Sequence, residues 1–65
     1  MLNDHTFDIL NQLSQESKSL WRIQNEYLPN AKEEGHDECV AFWERMIEDK
    51  QEHIEELSKL LDGEL

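Results

Sequence analysis

Sixty-five residues allow one small domain, residues 1–65, with too little surface to bury for comfortable stability alone, so a metal or self-association is expected to supplement it. Sixteen acids against six bases give a net charge of −10, which leaves no basic patch for nucleic-acid phosphates or an anionic membrane surface. Cys39 is the single cysteine, so no intrachain disulfide forms; with the polar opening "MLNDHTFD" and no apolar span, it points to a reducing, cytoplasmic setting.

The first segment, residues 4–28, reads as an amphipathic helix, with Asp4 placed to cap it. Ile9, Leu13, Leu20, Ile23 and Tyr27 line one edge of its apolar face, and Phe7, Leu10, Trp21 and Leu28 line the other. Pro29 biases Leu28 away from helical geometry, so a loop over residues 29–36 is expected. Within it Gly35 suits a left-handed turn, and Asp37 is a candidate N-cap for a second helix over 37–62. In that helix Val40, Trp43, Ile47, Ile54, Leu57 and Leu61 recur at spacings of three and four, widened by Cys39, Phe42, Met46 and Leu60. The aromatic residues and the full set of Leu and Ile argue against disorder despite the acidity.

The acidity is lopsided. Residues 1–32 hold four acids and three bases, whereas residues 33–65 hold twelve acids and three bases. Glu44, Glu48, Glu52 and Glu56 form a column of like charge, a face for water or for a basic partner. The fold class expected is all-α: an antiparallel two-helix hairpin. Both apolar faces are wider than one seam, so the hairpin should self-associate, most simply as a dimer forming a four-helix bundle; docking on a different protein is the alternative.

Two breaks in the apolar stripes carry the functional signal. Lys50 lies between Ile47 and Ile54, with His53 at the edge of the same face, and Glu16 lies between Leu13 and Leu20. If the hairpin folds about residue 33, residue i faces residue 66 − i, which brings Glu16 level with Lys50 and His53 level with Leu13. A buried ionised group costs several kcal/mol unless paired or metal-bound, so these residues need one another. They form either a Glu16–Lys50 ion pair with His53, Asp49 or Glu52 nearby, or a metal site with Glu16 and His53 as ligands. On dimerisation two carboxylates and two imidazoles would suit zinc, iron or manganese.

A glutamate on the first helix and "EDKQEHIEELSKLL" on the second resemble half of a ferritin-like or rubrerythrin-like bundle, over residues 7–61. That family takes a Glu from one helix and Glu-x-x-His from the next, and two helix pairs enclose the metals. The resemblance implies metal ligands at Glu16 and His53, with Asp49 or Glu52 as auxiliaries. The sequence departs from the motif where its glutamate would fall, at Lys50.

The resemblance puts a small metal-binding helical protein first, with its site formed on oligomerisation. The alternative is an acidic, non-catalytic adaptor or assembly module whose Glu16–Lys50 layer is structural. His36 and Cys39 read as a loop histidine and a half-buried thiol, and no nucleophile–base pair or phosphate loop suggests an enzyme acting on an organic substrate.

Overall fold

Asn3, not Asp4, opens the first helix. In the computed structural model, which describes residues 3–65 and so leaves the first two residues of the expected domain outside it, the Asn3 side chain accepts from the Thr6 amide at 2.8 Å. The Thr6 hydroxyl donates to the same oxygen at 3.0 Å, which satisfies a polar group that is itself buried. Helix α1 (Asp4–Arg22) thus begins where expected, one residue past its cap, and Asp4 falls in the first turn, where its charge favours the helix dipole.

The first helix does not end at Leu28. Residues Ile23–Tyr27 form a π-turn, in which the Leu28 amide reaches back five residues to the Ile23 carbonyl, and α2 (Leu28–Glu33) continues from it. Pro29 stands in the opening turn of α2. In a regular α-helix its ring would press on the carbonyl four residues back; the wider π-turn accommodates it, so the proline is absorbed instead of ending the helix. The Asn25 side chain contributes by donating to the Trp21 carbonyl at 2.8 Å.

What remains of the expected loop is a tight turn. Gly35 adopts φ +68°. Its amide donates to the Lys32 carbonyl at 3.1 Å, and the His36 amide donates to Ala31 at 3.0 Å, the paired bonds of a Schellman cap. His36, not Asp37, then caps α3 (Asp37–Glu64): its Nδ1 accepts from the Cys39 amide at 3.3 Å. Asp37 and Glu38 lie in the first turn, where negative charge is favourable. The helix runs two residues beyond the expected end, through Gly63.

Contacts between α1 and α3 pair early residues with late ones: His5 with Glu64, Glu16 with Lys50, and, from the π-turn, Tyr27 with Trp43. The two arms are therefore antiparallel, and the molecule is an all-helical rod of 48 × 15 × 12 Å. Its radius of gyration of 14.7 Å exceeds the roughly 11 Å of a globular domain this long. Among the described residues the buried hydrophobic side chains are Ile9, Ile23 and Ala31, with Ile23 left 1% exposed. Each buried isoleucine contributes about 1.5–3 kcal/mol, a thin core for a whole domain. Phe7, Trp21, Tyr27, Phe42 and Leu60 are all exposed. No helix among the described residues is long and apolar enough to cross a membrane.

Candidate functional site

The charged layer forms as the 66 − i register predicts. Lys50 Nζ donates to Glu16 Oε2 at 2.8 Å, and the two side chains retain 16% and 12% of their exposure. His53 Nδ1 lies 3.4 Å from the other carboxylate oxygen, Oε1, an ion pair when the imidazole is protonated. Gln12 Nε2 donates to that same oxygen at 3.4 Å, one turn back along α1. Glu16 is thus the hub, held from α3 by an ammonium and an imidazole and from its own helix by an amide.

The hydrogen bond from Lys50 is the main cause that holds the Glu16 carboxyl below its ordinary pKa. Partial burial pushes the other way and is outweighed once the Lys50 charge, the Gln12 amide and His53 are added. Among the described residues, no buried side-chain nitrogen or oxygen lacks a hydrogen-bond partner. The layer is therefore satisfied within one chain.

A shallow groove of about 190 Å³ opens beside it, lined by Gln12, Glu16, His53, Glu56, Leu57 and Leu60. His53 stands at its edge with a largely exposed ring. Sequence reasoning missed Gln12 and Glu56 here. Gln12 carries a signal, since a residue four before Glu16 on a helix shares its face; in the sequence Glu56 is legible only as part of the acidic column.

Of the four candidate metal ligands, one chain brings together Glu16 and His53. Asp49 and Glu52 are exposed, and no group of three or more His, Cys, Asp or Glu side chains converges among the described residues. Two donors with an ammonium beside them do not fit a metal ion: the cation would face the Lys50 charge and compete for the oxygen that Lys50 holds.

At the hairpin turn a second hollow lies between Tyr27, Ala31, His36, Cys39 and Trp43. The Tyr27 and Trp43 rings meet at 5.2 Å between centroids, and Phe42 packs edge-on to Trp43 at 5.3 Å with Arg45 over its outer face. Cys39 is a half-buried free thiol, and His36 is engaged by its amide.

The fold and the layer together define a two-helix hairpin with one charged level inside an apolar seam. No family model matches this chain, and neither a curated protein nor a solved structure matches it.

Proposed function

We propose that this chain is an acidic, non-catalytic assembly module that works as a self-associated pair of hairpins, with the Glu16–Lys50 layer as a structural register. The observation that carries this reading is the 2.8 Å contact between Lys50 Nζ and Glu16 Oε2. Lys50 occupies the position where a metal-binding bundle needs a second carboxylate, and it neutralises the one carboxylate that α1 supplies. A charged pair at one level of an otherwise apolar seam penalises any slipped register, because a shift of one turn would leave both charges opposite aliphatic groups. The thin core and the exposed Trp21 and Phe7 support self-association as the missing stabilisation.

A second reading is favoured by the approach of His53 Nδ1 to Glu16 Oε1 at 3.4 Å: a ferritin-like site for iron, manganese or zinc, completed by a second copy of the chain. Native mass spectrometry of protein purified without chelator, then titrated with each metal, separates the two. The assembly module is expected as an even-numbered oligomer without stoichiometric metal. A fixed number of bound ions, abolished by His53→Ala, would overturn it in favour of the metal site. Lys50→Glu sharpens the contrast: a ferritin-like scaffold gains metal affinity from the added carboxylate, whereas the assembly module only loses stability.

A further inference from the structure

Helix α1 carries two apolar seams side by side, and α3 covers one of them. Thr6, Ile9, Leu13, Glu16, Leu20 and Ile23 follow spacings of three and four, and all are buried or half-buried. Shifted by one residue, Phe7, Leu10, Ser14, Ser17 and Trp21 follow the same spacing, about 100° further round the helix. In this second seam Phe7 and Trp21 are 56% and 57% exposed and both serines are exposed. A seam of this period has the form of a helix–helix contact.

We infer that the second seam is the dimer interface, filled by the same seam of a second copy running antiparallel. This rests on the self-association proposed above and adds which face makes it. The seam is complementary to itself. With a two-fold axis at the level of residues 15 and 16, Ser14 lies opposite Ser17 of the partner subunit, and Leu10 lies opposite Trp21 of the partner subunit. Small side chains at the centre let the helices approach toward the lower end of the usual 8–10 Å, roughly, while each indole covers a leucine beyond them. The more than half-exposed rings of two Phe7 and two Trp21 supply roughly 500 Å² of aromatic surface, the hydrophobic centre for an interface of about 1,200 Å² or more.

Charge also selects a second copy over a basic partner protein. The seam belongs to the half of the chain with four acids against three bases, whereas the twelve acids that would attract a basic partner lie in residues 33–65. An α1–α1 crossing brings together the two nearly neutral helices and leaves the acidic ones apart.

Sedimentation equilibrium on the full chain tests this, with far-UV circular dichroism on each variant. The wild type is expected to dimerise. Trp21→Gln should weaken the dimer at least about thirtyfold with helicity retained, as loss of a central aromatic anchor does. Leu60→Gln, on a side chain equally exposed (58%) but on α3, should leave the dimer intact. A wild-type dimer that survives Trp21→Gln, or that dissociates with Leu60→Gln, overturns this interface while leaving self-association standing. A monomeric wild type overturns both. Independently of any effect on folding, the pair Ser14→Cys and Ser17→Cys in a Cys39→Ser background should oxidise to a covalent dimer; failure to cross-link when the oligomer is dimeric also overturns the register.

Discussion

Lys50 is in effect the counter-ion of a single carboxylate, and its removal exposes the cost of the layer. Lys50→Ala leaves Glu16 half-buried with only Gln12 and His53, and a lost hydrogen bond to a charged group costs about 2 kcal/mol. Replacing both residues, Glu16→Leu with Lys50→Leu, should recover most of that loss, because an apolar pair of similar volume has no charge to desolvate. Urea unfolding of Glu16→Leu, Lys50→Leu and the double variant reads this as a coupling energy. The same carboxylate makes the protein acid-sensitive. Glu16 has a lowered pKa in the folded state, so its contribution is complete above the unfolded value of about 4.3 and is lost as pH falls through the lower folded value. Glu16→Gln should remove that step from a plot of stability against pH. The layer was legible in the sequence because charged residues within apolar stripes violate the pattern, and one hairpin register aligned two violations. The caps were less legible. Asn3 stands next to Asp4 and His36 next to Asp37, adjacent residues that both accept hydrogen bonds, and the order in which they serve depends on backbone angles that composition does not encode.

At the scale of elements, the difference from expectation sits between Leu28 and His36. A proline stops a regular α-helix, so the sequence predicts an end at Leu28, yet one extra residue in the turn before Pro29 removes the clash, and Ala31 then joins the buried core from α2. Nothing in the spacing of apolar residues distinguishes a helix that ends from one that widens by a residue. Gly35 was legible, since a chain that must reverse between two helices needs a left-handed residue near the end of the first. An added Cβ at Gly35 meets nothing within 4 Å, so the cost of Gly35→Ala is backbone strain alone, about 1–2 kcal/mol. Gly35→Asn should lose less, because asparagine tolerates the left-handed region. Thermal unfolding of the two variants, compared at equal protein concentration, measures the difference. If both lose the same amount, a feature of the turn other than φ sets the penalty.

For the whole molecule, net charge opposes the proposed self-association, and the response to salt distinguishes a second copy from a basic partner. Each chain carries −10, so a pair of chains repels itself over distances longer than its contacts. Salt shortens the range of that repulsion, from a Debye length of about 30 Å at 0.01 M to about 10 Å at 0.1 M. The apolar α1 seam is indifferent to screening. Self-association should therefore tighten as salt rises through that interval. A module built to receive a basic protein on its second helix behaves in the opposite sense, since its attraction is what the salt screens. The sign of the slope of association against ionic strength, read by sedimentation equilibrium on the isolated chain and then with a cationic helical peptide added, separates the two modes. A homodimer that weakens steadily with salt would mean that the contacts joining the chains are themselves ionic, which the near-neutral seam around Trp21 does not allow.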